Sequence, residues 1–268
     1  METSRRRSRT EFEYELLDTG MFNDDRYFDV FVEYAKVSPE DVLIRITVTN
    51  RGLEAATLHV LPTLWFRNTW SWSPDSPRPA LQRVRDRAAT RAIAASHPKL
   101  GDRWLYVEGD VPLLFTENDT NTERLFATPN ATPFVKDGIH SFVVHGKQGA
   151  VNSAGTGTKA AAHHQFDHRP GPRDRAAPAA RRRGPPAKMA DPFGGFDEVF
   201  DERLYEADDY YRTLPPPGAT EDTAQVMRQA LAGMLWSKQY YFWDANTWLV
   251  EHGADPFAAQ RRSVRNAE

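Results

Sequence analysis

From Asp41 to Asn50 the chain reads DVLIRITVTN, in which Val42, Ile44, Ile46 and Val48 alternate with Arg45, Thr47 and Thr49. Successive side chains of a strand point to opposite faces, so this period of two sets an apolar row inward and a polar row outward. A helix would scatter the same residues around its circumference. The preceding run FDVFVEY carries the same signal, with Phe28, Val30, Val32 and Tyr34 on one face and Asp29 and Glu33 across from them. Asn50-Arg51-Gly52 supplies turn residues before ATLHVLPTLWF resumes an extended pattern. RWLYVEG, PLLFTE, HSFVVHG and TKAAAHHQF read as further short strands. Many short strands separated by turns, with no helix between them, predict a mainly β fold: an antiparallel β-sandwich over residues 20–167. Residues 1–19 form an arm that is basic and then acidic.

The period changes near Glu221. Met227, Ala230, Leu231, Met234 and Leu235 fall at i, i+3, i+4, i+7 and i+8, one apolar stripe of a helix. Thr220 is placed to cap it, and Glu221 and Asp222 in the first turn suit the positive end of the helix dipole. This helix is expected to reach about Phe242, with a second over Ala245 to Glu251 ending near Gly253. FDEVFDERLYEADDYYRTL is also helix-like, so residues 193–268 are predicted to be helical. Between the two regions, residues 168–192 are dense in Arg, Pro and Ala without either periodicity. They are expected to be a disordered insertion, with a basic nucleic-acid tail as the alternative. The abrupt change of composition there also suggests a local reading-frame error.

Composition narrows the partners. A net charge of -3 over 268 residues gives no general case for nucleic acid or an anionic membrane. The absence of cysteine removes disulfides and thiolate metal sites and fits a reducing compartment, so a soluble cytoplasmic protein is expected. METSRRRSRT is followed by acidic residues rather than a signal-length apolar run, and no apolar stretch reaches spanning length. No cofactor is implied. His163, His164 and His168 lack carboxylates at ligand spacing, so no metal site is expected from them. NSAGTGTK lacks the spacing of a phosphate loop. TENDTNTE, Thr116 to Glu123, is rich in oxygen ligands but lacks the order of a calcium loop and reads as a solvated loop. No serine sits in a nucleophile elbow.

Two aromatic-rich stretches remain. LWFRNTWSW, Leu64 to Trp72, gathers Trp65, Phe66, Trp70 and Trp72 around Arg67 and Asn68. Such rings pack a core or an interface, or they form a wall on which a flat, hydroxyl-rich ligand stacks while Arg67 and Asn68 bond its hydroxyls. SKQYYFWD, Ser237 to Asp244, has too many large side chains for one helical face. Lys238, Gln239, Tyr241 and Trp243 therefore either fasten the helix to its neighbours or contact a sugar.

Several stretches, in order, resemble one family. GMFNDDRYFDVFVEYAKVSPEDVLIRITVTNRG, LPTLWFRNTWSW, LLFTENDTNTERLF, PFVKDGIH, AVNSAGTGTKAAAH and VMRQALAGMLWSKQYYFWDANTWL are similar to the N-terminal part of bacterial members of glycoside hydrolase family 63. These are relatives of mannosyl-oligosaccharide glucosidase and mannosylglycerate hydrolase. The resemblance runs over most of Gly20 to Gly253, outside the Arg/Pro/Ala stretch. It implies an N-terminal β-sandwich joined by helices to an (α/α)6 barrel, and inverting hydrolysis of α-glycosidic bonds. Inversion needs two carboxyl groups about 6.5–9.5 Å apart, one to protonate the leaving oxygen and one to activate water. In the family both belong to the barrel, beyond the point matching SKQYYFWDANTWLVEHG, so no catalytic residue is assigned here. The chain is then expected to be an inactive N-terminal fragment with only the first barrel helix, whose partner in the complete protein is an α-glycoside or oligosaccharide. Trp65, Arg67, Trp70, Trp72, Lys238, Gln239, Tyr241 and Trp243 are its candidate sugar contacts. A stand-alone carbohydrate-binding β-sandwich and a degenerate product without stable function remain as alternatives.

Overall fold

The structure is a computed structural model that describes residues 6–8, 10–71, 75–84, 91–168, 173–176, 178–181, 191–237 and 244–251. It divides into two compact units, Met1–Leu204 and Tyr205–Glu268. The first is mainly β. Its strands are β1 (Phe28–Ser38), β2 (Asp41–Asn50), β3 (Ala56–Val60), β4 (Thr63–Trp65), β5 (Ala80–Val84), β6 (Arg91–His97) and β7 (Gly101–Val107). After them come β8 (Leu113–Thr116), β9 (Thr156–Gly157), β10 (Lys159–Ala162), β11 (His164–His168), β12 (Arg173–Ala176) and β13 (Pro178–Arg181).

Every pairing is antiparallel. A large sheet runs β1-β2-β13-β7-β6-β5-β9, with β12 also on β2, while β4-β10-β8 and β11-β3 form two small sheets. Leu81, Ile93, Leu105 and Val107 of the large sheet are buried against Leu113, Phe115, Ala160 and Ala162 of the three-stranded sheet. Ile46 and Val48 meet Leu58, Val60 and Phe166 of the two-stranded one. The large sheet thus packs against each small sheet through an apolar cluster of its own. The alternation of β2 is legible in this packing, because its even-numbered residues face the small sheets. Its odd face is covered as well: Leu43 packs with Phe196 and Phe200, and the Arg45 guanidinium lies 4.2 Å from the Phe200 ring centre. Strand β1 departs from expectation. Phe28 joins the core, but Val30, Val32 and Tyr34 are exposed because β1 is the edge of its sheet.

Two helices interrupt the strands, contrary to the strand-only reading of this region. Thr122–Phe126 forms α1, capped by the Asn121 side chain, which accepts from the Arg124 N–H at 3.0 Å. Gly138–His145 forms α2, so HSFVVHG is helix rather than strand. Ile139, Phe142 and Val143 lie at i, i+3 and i+4 and pack on Leu114 and Ala161 of the three-stranded sheet. Gly146 then closes the helix in the left-handed conformation, with its N–H on the Phe142 and Ser141 carbonyls. Over eight residues the helical period is too short to outweigh an apolar, β-branched run.

The Arg/Pro/Ala-rich segment contributes β12 and β13, where composition predicts no regular structure. Strand pairing draws on backbone groups that every residue except proline carries in full, and Pro178 stands at the first position of its strand. The remainder of 169–190 lies outside the described residues.

Helix α3 (Phe196–Arg212) begins in the first unit and ends in the second. The second unit also contains α4 (Glu221–Ser237) and α5 (Ala245–Glu251). Helix α4 starts where expected: the Thr220 hydroxyl accepts the Thr223 N–H at 3.2 Å. Arg228 of α4 pairs with Asp208 of α3 at 2.6 Å and stacks over Tyr211. None of the residues of α4 is buried. Residues 238–243, including the expected extension of this helix, lie outside the described residues.

Backbone crowding fixes where β9 crosses β8. A Cβ built on Gly157 would lie 2.3 Å from the Thr116 carbonyl oxygen, whereas one on Gly149 meets nothing within 4 Å. Gly157→Ala should therefore destabilise the protein by about 1–3 kcal/mol in chemical denaturation. Gly149→Ala should stay within about 0.5 kcal/mol. Equal effects of the two substitutions would contradict this packing.

Candidate functional site

The aromatic stretch and the oxygen-rich stretch, distant in sequence, meet at one end of the three-stranded sheet. Strand β10 aligns them, with Lys159 opposite both Trp65 of β4 and Thr116 of β8. Past that row the backbone bonds continue from Phe66 N–H to Thr158 O at 3.3 Å and from Asn118 N–H to the Thr158 hydroxyl at 2.8 Å. The Asn118 amide returns to the Phe66 carbonyl at 2.8 Å. The two loops are stitched together before either reaches solvent.

Asp119 is the centre of the polar network at this end. Its Oδ1 accepts from the Asn68 amide at 2.8 Å and from the Trp70 indole N–H at 3.0 Å. Its Oδ2 accepts from Arg78 at 3.1 Å. The same Arg78 nitrogen lies 2.8 Å from Glu117, and the guanidinium sits 5.4 Å from the Trp70 ring centre. Asn68 also accepts the Ser71 N–H at 3.1 Å, which shapes the turn presenting Trp70. Burial alone would lower the Arg78 pKa, but its hydrogen bond to Glu117 and the charges of Glu117 and Asp119 raise it on balance. Thr158 donates to Glu117 at 2.7 Å. Both carboxylates are therefore engaged by several donors within the protein.

Beside this network Trp65 is 56% exposed, and Arg67 is exposed as well. The two rings are thus placed differently: Trp65 is largely exposed, whereas Trp70 is half-buried and locked by its N–H. Lys159, opposite Trp65, donates to the Lys136 carbonyl at 2.8 Å. Its pKa is lowered, chiefly by burial and further by Lys136, with Asp137 opposing. Asp137 in turn accepts from Asn121 at 3.1 Å and from Arg124 at 3.0 Å. An exposed indole beside the Lys159 ammonium on one side of β4, and a guanidinium stacked near Trp70 on the other, are groups of the kind that contact a hydroxyl-bearing ligand.

Of the expected sugar contacts, Trp70 is held in the Asp119 network, Trp65 stands opposite Lys159 on β4 and Arg67 is exposed beside them in sequence, while Trp72, Lys238, Gln239, Tyr241 and Trp243 lie outside the described residues. Sequence reasoning missed Arg78, Glu117, Asp119 and Thr158. Their signal was the oxygen-rich composition of TENDTNTE, which satisfies donors of another loop rather than water or a cation. Among the described residues no group of three or more His, Asp or Glu side chains could hold a metal. His163 instead pairs with His59, ring nitrogens 2.8 Å apart, and His164 is buried and stacked on Phe166. No helix among the described residues is long and apolar enough to cross a membrane.

The chain is therefore a mainly β, antiparallel protein with an aromatic platform held by an Asp–Arg–Trp network. No family model matches it. It is 29% identical over 275 residues to the uncharacterized protein YMR196W of Saccharomyces cerevisiae, an alignment covering 88% of this chain and 25% of the yeast protein. The chain spans about a quarter of the length of that curated relative.

Removing the Asp119 carboxylate should strand the Trp70 indole N–H and leave Asn68 and Arg78 with one acceptor each, the Asn118 carbonyl and Glu117. Asp119→Ala is expected to cost about 1–3 kcal/mol in urea unfolding, and Asp119→Asn less, since an amide keeps one acceptor. No loss with alanine would remove Asp119 from the centre of the network. Acid should weaken the fold through the histidines as well. Burial first, then a neighbouring histidine, lowers the pKa of both His163 and His164 from 6.5. The unfolded chain then takes protons that the folded chain refuses as pH falls below 6.5, so stability drops through that range until the folded-state values are passed. Replacing both by Gln should flatten the decline, and an unchanged slope would assign it to other groups.

Proposed function

We propose that this chain is the β-rich N-terminal part of a glycoside hydrolase family 63-like α-glycosidase, which in its complete form hydrolyses α-glycosidic bonds with inversion. The ordered resemblance carries this reading. Its stretches fall on β1 and β2, on both loops of the aromatic platform, on the start of α2, on β10 and on α4. A relative about four times as long leaves room for an (α/α)6 barrel that would begin with the helices after residue 193. On this reading the acid and base of the inverting pair belong to that barrel, as the resemblance implies, and Glu117 and Asp119 serve as acceptors within the protein. The platform's role is to seal against it or to reach the rim of the sugar site.

A second reading, a stand-alone carbohydrate-binding module, is favoured by one observation: the 56% exposure of Trp65 beside the polar rim. The two readings differ in a measurable way. The isolated chain should show no turnover of aryl α-glucosides or α-linked disaccharides above background. It should also give no micromolar signal on a glycan array. Specific binding that is lost in Trp65→Ala would establish the module instead. Turnover abolished by one Asp or Glu substitution within this chain would overturn the fragment reading. A cooperative thermal transition separates both from a degenerate product.

A further inference from the structure

Away from the platform, Arg83 of β5 stands between two adjoining cavities of about 310 and 540 Å³, both of which it lines together with Ser153. Arg78, Arg91, Arg103, Arg124 and Arg228 each pair with a carboxylate. Arg83 pairs with none among the described residues. Its Nη2 donates to the Leu113 carbonyl at 3.1 Å, and its Cζ lies 5.7 Å from the centre of the buried Phe115 ring. A guanidinium carries five N–H donors in a rigid fork, so most of this fork is uncommitted to the protein.

The surroundings keep the fork in place. Gly155 has φ of +74°, and a Cβ there would come within 3.0 Å of the Arg83 Cβ and 3.1 Å of its Nε. The backbone N–H of Arg83 donates to the Gly155 carbonyl at 2.8 Å, fixing strand to turn. Ser153 adds a hydroxyl with no hydrogen-bond partner among the described residues, and the smaller cavity is walled by Val111, Leu113, Phe115 and Val151. Arg91 stands at its rim, paired with Asp110. Among the described residues no aspartate or glutamate lines either cavity. A guanidinium anchored through one N–H, with no carboxylate partner among the described residues, beside apolar walls favours a planar or tetrahedral oxyanion over a cation or a neutral polyol.

We propose that Arg83 and Ser153 form a binding site for the oxyanion group, carboxylate or phosphate, of a small ligand. Arg83 takes two oxygens with its free N–H groups, Ser153 donates to one of them, and the apolar wall receives the ligand's body. This site is separate from the sugar reading and stands or falls without it.

The test is calorimetric titration of the full chain at fixed ionic strength with inorganic phosphate, benzoate and neutral benzamide. At least one anion should bind saturably, phosphate alone marking a phosphate site and benzoate a carboxylate site, while benzamide does not bind. Arg83→Gln should weaken binding by about tenfold or more, as expected for loss of a charge-assisted contact. Ser153→Ala, at an exposed position, should weaken it by a few-fold with an unchanged circular dichroism spectrum, and it decides the matter if Arg83→Gln fails to fold. Absence of saturable binding by both anions overturns the proposal. So does equal binding of benzamide, or binding unaltered in Ser153→Ala together with whichever Arg83 variant folds, Arg83→Lys included.

Discussion

Four consecutive residues, Leu113 to Thr116, are buried, and the rest of the first unit is arranged around them. Leu113 and Phe115 face the large sheet, while Leu114 faces α2. A strand covered on both sides reads as an unbroken apolar run, because neither face is left to solvent. Its position is set at backbone level: Gly157 and Gly138 are glycines because a Cβ on either would meet a carbonyl oxygen, of Thr116 and Ala150 respectively. Phe115 is fully buried, and a side chain of that size contributes roughly 1.5–3 kcal/mol through removal from water. The strand therefore has little freedom to slide.

That immobility carries over to the polar end of the same strand. Glu117 and Asp119 emerge directly after Thr116, so their carboxylates are delivered to fixed points. Asn68, Trp70 and Arg78 then organise on them, and a loop with few apolar contacts acquires a defined shape. Ion pairs at half-exposed positions contribute little singly. Here the gain comes from sharing: one carboxylate serves three donors, and one guanidinium serves two carboxylates and an indole face.

Much of the framework was legible in the sequence, for reasons that also explain the failures. The alternation of β2 and the capped stripe of α4 are long enough for periodicity to speak. Strand β6 is built largely on alanine, which carries little periodic signal, although Ala92 and Ala95 are buried. HSFVVHG lacks the length to display 3.6-residue spacing. The arginine-rich strands β12 and β13 are held by backbone pairing that no side-chain pattern announces. At the site, the aromatic residues drew attention by composition, yet the residues that position them lie about fifty positions away. Only the pairing of β4 and β8 with β10 brings those segments together.

The central claim is that Asp119 holds the Trp70 loop, and it is tested most directly by hydrogen exchange at the tryptophan indoles. The protein has seven tryptophans, each with a separately observable indole N–H in a nitrogen-15 spectrum. The Trp70 resonance, assigned through Trp70→Phe, should exchange much more slowly than that of the exposed Trp65. In Asp119→Ala it should become as fast as Trp65 while amides of β8 keep their protection. A Trp70 indole that exchanges freely in the unmodified protein, or is untouched by Asp119→Ala, would contradict the account.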